Sequence, residues 1–258
     1  MPNEMTGLGD LAGLTFAFMI VFARVGSTTM LLPGVGEAGV PTMIRAGFAL
    51  ALTLLFLPAA SDGLANSPSA PLAMLAIIGC EVITGLWMGW LVRVAMQVPA
   101  LAGQVMAASA GMSNILQPDA ETGPQSAALT HALALAAPVV IFATGLHALP
   151  LQALAGSYDV IPAGHLLPAI DSVDQAVAAT ARAVAVALQL GGPFVLASLL
   201  WQVALGFLSR LVPQLQIYFA AMPGQIAGGL LLFAVIGGGV FAVWQDGMRA
   251  DLLLLPGH

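Results

Sequence analysis

Six long apolar runs dominate this sequence of 258 residues and restrict what it can fold into. They cover residues 11–32, 40–60, 71–96, 127–155, 176–211 and 215–244. Each provides the roughly 20 residues that a helix needs to cross a hydrocarbon core of about 30 Å. A shorter run, rich in alanine and glycine, covers residues 98–115. The pattern predicts an all-α membrane protein with about six long hydrophobic helices and one short, re-entrant-like segment.

The composition agrees with a bilayer as the main solvent. Charged residues make up 7% of the chain and hydrophobic residues 59%, whereas roughly 25% of the residues in ordinary soluble domains are charged. The mean hydropathy is +0.97. With only six basic residues and a formal charge of -6, the chain has no basic surface for nucleic acid. The single cysteine, Cys80, excludes an internal disulfide.

Glycine and proline divide the apolar runs into helical hairpins. Turn-forming stretches lie at residues 33–39, 61–69, 117–125, 156–174 and 213–214. Prolines inside or beside the runs predict kinked or broken helices: Pro99, Pro138, Pro193 and Pro223. Since no polar linker or internal repeat separates a second domain, the sequence predicts one domain over residues 1–258.

Five charged side chains lie within or near the ends of apolar runs: Arg24, Arg45, Glu81, Arg93 and Arg182. A charge at the centre of a spanning helix costs about 3 kcal/mol on insertion scales. Arginines near the run ends can avoid this cost by extending to the bilayer surface, so both placements stay open for them. Glu81 and Arg182 are predicted to face protein or water, either each other or partner subunits.

Small residues at four-residue spacing predict close helix packing. Gly85 and Gly89 share a helix face with Glu81. The same spacing recurs in two further places, at Gly103, Ala107 and Gly111 and at Gly224 and Gly228. Such faces let helix backbones approach closely, either within the chain or between subunits.

Catalytic and cofactor signatures are weak in this sequence. Residues 7–10 and 158–159 match the two aspartate motifs of intramembrane aspartyl proteases, in which two carboxylates share a proton. The motifs occur in the reverse order, and Asp10 is expected before the first helix and Asp159 in a loop, which argues against a protease. No metal-ligand or phosphate-loop pattern is present, so no catalytic residue, metal or cofactor is predicted.

The most specific motif lies at residues 206–219 and continues to Pro223. Together with Arg210, Pro213, Gln214 and Gln216, it closely resembles the signature of the FliR family and its virulence-secretion relatives. Further landmarks are similar to the family's and follow in the same order: Arg24, Pro33, Pro41, Arg45, Glu81, Gly85, Gly89, Gly103, Gly111, Pro118, Gly123, Gln125, Ser157 and Pro162. The resemblance therefore covers nearly the whole chain.

This resemblance implies a non-enzymatic subunit of a flagellar type III export gate in the bacterial inner membrane, at the flagellar basal body. It would join FliP and FliQ, next to an FlhB-type switch subunit, contact membrane lipid and pass unfolded export substrates. The family's channel plug corresponds to a central loop with Gly111, Met112, Ser113, Asn114, Ile115, Leu116, Gln117, Pro118, Gly123 and Gln125. The tip of the last hairpin corresponds to Arg210, Pro213, Gln214, Gln216 and Pro223. Buried charges or subunit packing are expected at Arg24, Arg45, Glu81, Gly85, Gly89 and Arg182.

The residues of the central loop suggest how a plug could work. A segment rich in glycine, proline, serine and amide side chains has little apolar surface to hold it, so an arriving substrate can displace it. Met106 and Met112 are flexible enough to close around varied peptides. The alternative function is an ion-coupled small-molecule permease, because broken helices and intramembrane charges are also typical of secondary transporters.

Overall fold

The computed structural model describes residues 3–37, 39–60, 70–111, 128–165, 167–211 and 217–257. Within these ranges the chain forms helices and no strand. The seven helices are α1 (Asn3–Thr29), α2 (Thr42–Ala60), α3 (Pro71–Ser109), α4 (Ala128–Thr144), α5 (Ala148–Val160), α6 (Ala169–Leu211) and α7 (Ile217–Leu252). The prediction of an all-α membrane protein is confirmed.

Three helices, α3, α6 and α7, are long and apolar enough to cross a membrane. The shorter helices α4 and α5, with three residues between them, pass the same criterion only when they are taken together. At 1.5 Å per residue, the 39 residues of α3 extend over about 58 Å, nearly twice the thickness of a hydrocarbon core. By length and composition, α3 can therefore cross a hydrocarbon core with residues to spare.

The break in the helices lies at a different place from the predicted one. Residues 98–109 continue α3 through Pro99 instead of forming a separate segment. The chain bends instead at residues 145–147, inside the run predicted as one helix over 127–155. Gly145 has a φ of +76°, a left-handed conformation that commonly ends helices at glycine. The interruption of this apolar run therefore lies at Gly145, between α4 and α5.

Prolines do not end the helices in the part of the chain that the structure describes. Five helices continue past an internal proline beyond their first turn, at Pro58, Pro99, Pro138, Pro193 and Pro223. A proline removes one backbone donor, and neighbouring groups in a membrane protein can satisfy the freed carbonyl. The helices are therefore not broken at Pro99, Pro138, Pro193 or Pro223, and kinks at these prolines stay a prediction.

The positions of two aspartates also correct the sequence analysis. Asp10 belongs to α1 and Asp159 to α5, whereas one was expected before a helix and the other in a loop. Asp159 is exposed. The reversed order of the two motifs still argues against a protease.

The chain forms two compact units, and neither is a continuous stretch of sequence. The first unit comprises Met1–Ala95, Thr144–Ala179 and Arg249–His258, and the second comprises Met96–Ala143 and Thr180–Met248. In the first, α1 packs against α2 as the predicted hairpin, and α2 contacts α5. Its buried side chains include Ile20, Val25 and Met88, and those of the second unit include Met106 and Trp244. The single domain over residues 1–258 stays a prediction.

Candidate functional site

The C-terminal half of α1 packs closely against α3 at two glycines. A Cβ atom on Gly85 would collide with the carbonyl oxygen of Arg24 and the hydroxyl of Ser27. One on Gly89 would lie 2.9 Å from the carbonyl oxygen of Thr28. The Thr28 hydroxyl lies 3.0 Å from the carbonyl oxygen of Gly85, to which it donates a hydrogen bond. Glycine allows this approach because it has no Cβ.

Arg24 projects from this interface into a buried ion pair with Glu81 of α3. Its Nε donates to Oε2 of Glu81 at 2.6 Å and its Nη2 donates to Oε1 at 3.2 Å. Both side chains have no exposed surface. The two-pronged geometry is the strongest arrangement of an arginine and a carboxylate. Such a buried pair offsets its desolvation only if the remaining donors and acceptors also find partners.

The remaining donors of Arg24 reach α5 and the residues that follow it. Nη1 donates to the hydroxyl of Ser157 at 3.1 Å, and Nη2 donates to the carbonyl oxygen of Ile161 at 3.0 Å. The guanidinium carbon lies 4.1 Å from the centre of the Tyr158 ring, in cation–π geometry. Arg24 therefore joins α1 to α5 as well as to α3.

Glu81 has a further partner in the loop after α5. The backbone N–H of Gly164 donates to Oε1 of Glu81 at 2.6 Å. Gly164 has a φ of +85°, which glycine adopts without steric cost. We call this set the Arg24–Glu81 cluster, with the members Arg24, Glu81, Ser157, Tyr158, Ile161 and Gly164. The Arg24 and Glu81 side chains are fully buried, and each is hydrogen-bonded to more than one part of the unit, so the cluster joins α1 and α3 to α5 and the loop after it.

Two further arginines hold the loop between α1 and α2. Arg45 donates from Nε to the carbonyl oxygen of Val40 at 3.0 Å and from Nη2 to that of Glu37 at 2.6 Å. Arg93 forms an ion pair with the Glu37 carboxylate at 3.5 Å, and its side chain is 33% exposed. Because this second pair is partly solvated, it adds little to stability.

The second unit contains the remaining predicted site residues. Arg182 of α6, Arg210 of α6 and Pro223 of α7 are exposed. Gly111, at the start of the predicted plug, has a φ of +70° and lies beside Gln225. The other predicted plug positions, from Met112 to Gln125, lie outside the described residues, as do Pro213, Gln214 and Gln216.

One groove in the first unit is bordered by titratable side chains. A groove of about 380 Å³ in the first unit is bordered by Trp87, His165 and Asp171, and the indole N–H of Trp87 donates to the carbonyl oxygen of Ser172 at 3.3 Å. No three His, Cys, Asp or Glu side chains among the described residues come together as metal ligands.

Comparison with known proteins identifies the family to which this chain belongs. Residues 15–250 match the family described as bacterial export proteins, family 1. The chain belongs to this family. The matched region contains the whole Arg24–Glu81 cluster. It also contains the eight residues that the structure describes from the two predicted sets, buried charge or packing and hairpin tip: Arg24, Arg45, Glu81, Gly85, Gly89, Arg182, Arg210 and Pro223. This bacterial export protein is thus a membrane component of an export apparatus.

Three relatives of this export protein cover most of its length. Flagellar biosynthetic protein FliR of Caulobacter vibrioides is 30% identical over 89% of this chain and 92% of its own. FliR of Bacillus subtilis is 25% identical over 93% of each chain. Yop proteins translocation protein T of Yersinia pestis is 28% identical over 75% of this chain and 74% of its own. The predicted resemblance to the FliR family and its virulence-secretion relatives is confirmed.

The cluster in this export protein contains partners that sequence reasoning did not assign. Arg24 and Glu81 were both singled out, but Glu81 was expected to face Arg182 or another subunit, and its carboxylate binds Arg24 instead. Arg24 does not extend to the bilayer surface, since it is fully buried. Ser157, in a stretch of apolar and small residues, was noted only as a landmark, and nothing in its sequence context points to Arg24, 133 residues away.

Proposed function

We propose that this export protein is a structural and gating subunit of a flagellar type III export gate and that it catalyses no reaction. It would assemble with FliP and FliQ, next to an FlhB-type switch subunit, in the bacterial inner membrane at the flagellar basal body. Its cargo would be unfolded flagellar proteins. The observation that carries the proposal is the similarity to a flagellar FliR over about nine-tenths of both chains.

The exposed side chains of α6 and α7 support a role inside a larger assembly. Leu200 is 72% exposed, Leu211 78%, Leu231 70% and Val235 76%. Exposed apolar surface on this scale needs lipid or partner protein to cover it. A subunit that packs between others in a membrane requires apolar surfaces of this kind.

The Arg24–Glu81 cluster supports a structural role over transport by this chain alone. A secondary transporter carries its charges where substrate or ions can reach them. Here both side chains of the ion pair have no exposed surface, and each is bound to other parts of the same unit. This arrangement fixes helices in place and suits a rigid framework around a channel.

The plug is the part of the proposal that concerns gating. We place it at Gly111 and the residues from Met112 to Gln125, because this polar, breaker-rich segment lies between two apolar helices. Such a segment can be displaced without unfolding the helices on either side.

Co-purification tests the assembly. The chain is tagged, expressed from its natural locus, extracted in mild detergent and isolated with whatever remains bound. Recovery of FliP and FliQ in a stable complex is the expected result. Transport of a small molecule by the reconstituted chain alone, without recovered partners, would instead support the permease.

Deletion tests the plug. Removing residues 112–125 is expected to increase ion leakage through the assembled gate while the complex is still recovered. A matched control removes a turn of similar composition, residues 61–69 between α2 and α3, which should leave the leakage unchanged. Equal conductance of the intact gate and the gate with residues 112–125 deleted would refute the plug assignment.

A further inference from the structure

The groove of about 380 Å³ in the first unit lies where several parts of the chain meet. Its walls come from α3, from the end of α5 and the loop after it, from the start of α6 and from the C-terminal segment. Residues from each of these parts line it: Trp87, Ile161, His165, Asp171, Gln175 and Pro256. We call this groove the Trp87 groove. It is formed by the fold of the whole unit and not by one local segment.

Hydrogen bonds hold two walls of the Trp87 groove in place. The indole N–H of Trp87 donates to the carbonyl oxygen of Ser172 at 3.3 Å, which ties the ring to the start of α6. The loop after α5 is bound to the Arg24–Glu81 cluster through the carbonyl oxygen of Ile161 and the N–H of Gly164. Because these walls are already ordered, a ligand loses little binding free energy to ordering them.

The polar groups of the Trp87 groove include both an anion and hydrogen-bond donors. Asp171 is exposed and forms no ion pair with any residue that the structure describes. The ring of Trp87 can attract a cation over its face. The imidazole of His165 and the amide of Gln175 can donate hydrogen bonds. A ligand that carries a cation next to an anionic oxygen therefore matches this lining.

An exposed apolar face of α3 continues from the Trp87 groove. Ile83 lies four residues before Trp87 and Trp90 three residues after it, so the three side chains share one helix face. Ile83 and Trp90 are exposed, and so is Val160, which lines the groove itself. Since α3 is long and apolar enough to cross a membrane, lipid chains can cover this face. The polar recess thus adjoins a surface suited to hydrocarbon.

We propose that the Trp87 groove binds the headgroup of a phospholipid that ends in a primary ammonium group, as in phosphatidylethanolamine. The ammonium group donates to the Asp171 carboxylate and lies against the Trp87 ring. His165 and Gln175 donate to the phosphate, and the acyl chains follow the exposed face of α3. This inference does not depend on the proposed role in export.

The lining favours a lipid over a basic side chain of a partner protein. An arginine or lysine could use the carboxylate of Asp171 and the ring of Trp87, but it has no acceptor for the donors of His165 and Gln175. A zwitterionic headgroup uses both kinds of group. Tryptophan is also enriched where membrane helices meet the headgroup layer, because its ring is apolar and its N–H is polar.

Two substitutions and three lipids separate the contributions of the carboxylate and the ring. Asp171→Asn keeps the size of the side chain and removes its charge, whereas Trp87→Leu removes the ring. The matched control is Asp174→Asn, the same replacement at an exposed aspartate of α6 that does not line the groove. Phosphatidylcholine has an ammonium group that cannot donate a hydrogen bond, and phosphatidylglycerol has no cation.

The full chain, purified in detergent micelles, is titrated with each lipid, and bound lipid is measured by native mass spectrometry. The natural chain should bind phosphatidylethanolamine more tightly than the other two lipids. Asp171→Asn and Trp87→Leu should each weaken that binding by about two- to fivefold, the effect of one exposed ion pair or cation–π contact. Asp174→Asn should leave it unchanged. Since Asp171 is exposed, its variant tests the site even if Trp87→Leu also disturbs the fold.

Three results would overturn this inference. Equal affinity of the natural chain for the three lipids would mean that they only coat its apolar surface. Equal losses of phosphatidylethanolamine binding in Asp171→Asn and Asp174→Asn would point to the general surface charge of α6. Unchanged lipid binding in Asp171→Asn, together with lower recovery of a partner protein from cells, would show that the groove binds protein.

Discussion

Breaking the buried ion pair between α1 and α3 should destabilise the first unit more than any exposed charge change. Glu81→Leu removes two hydrogen bonds to Arg24 and one to Gly164, and it leaves a guanidinium buried with only Ser157, Ile161 and the Tyr158 ring as partners. Loss of one partner of a buried pair costs about 3–5 kcal/mol. This corresponds to a ratio of folded to unfolded protein that is lower by roughly 150- to 5,000-fold.

The double variant tests whether the cost comes from the isolated charge. Arg24→Met alone should also cost about 3–5 kcal/mol, since it leaves the Glu81 carboxylate buried. Arg24→Met combined with Glu81→Leu leaves no buried charge, so it should cost about 3–5 kcal/mol less than the sum of the single changes.

Unfolding of the purified chain in detergent micelles, followed by loss of helical circular dichroism, measures these differences. The matched control is the partly exposed pair of Glu37 and Arg93, where the same cycle of substitutions should give a coupling below about 1 kcal/mol. Additive costs at Arg24 and Glu81 would refute the reasoning, because they would mean that each charge is stabilised independently of the other.

Three more predictions follow from single residues. Gly85→Ala should lower the free energy of unfolding by about 1–3 kcal/mol in the same assay, because its Cβ meets the backbone of α1. The control Gly79→Ala, on the same helix and with no atom within 4 Å of the added Cβ, should not destabilise the protein, and equal effects of the two changes would contradict the close packing. Arg182→Leu, at an exposed position of α6, should lower co-purification of partner subunits; intact assembly would remove Arg182 from the subunit interface. Gly145→Ala should lower the free energy of unfolding by about 1–2 kcal/mol, because alanine is strained at a φ of +76°, and Gly145→Asn should lower it by less. Unfolding midpoints of both variants equal to that of the natural chain would show that the break between α4 and α5 does not depend on this conformation.

Apolar length alone located several helices correctly. The runs at 40–60 and 215–244 correspond to α2 (Thr42–Ala60) and α7 (Ile217–Leu252). The same reasoning failed at Pro99, where it placed a break inside α3. Proline lowers the local preference for a helix, but a membrane environment and packed neighbours outweigh one lost hydrogen bond. The bend falls instead at Gly145, whose sequence context did not distinguish it from the other glycines.

The sequence likewise predicted some residues of the candidate site and missed others. Intramembrane charge marked Arg24 and Glu81 as residues that need partners, because an unpaired charge is costly in an apolar medium. Nothing in the sequence could pair them, since 57 residues separate the two and Arg182 was an equally good counter-ion by charge alone. Ile161 and Gly164 hydrogen-bond to the pair through their backbone groups, which do not depend on side-chain identity, so no residue pattern predicts these bonds.

The interleaved order of the two units has a consequence for biosynthesis. At about 5–20 residues per second, the ribosome completes Glu81 roughly 3–11 seconds after Arg24, and Ser157 and Gly164 follow later still. During that interval a guanidinium at the end of the first nascent helix has no carboxylate to neutralise it. Insertion of α1 into lipid before α3 emerges therefore carries the cost of an unpaired charge, about 3 kcal/mol on insertion scales, and pairing with Glu81 removes that cost.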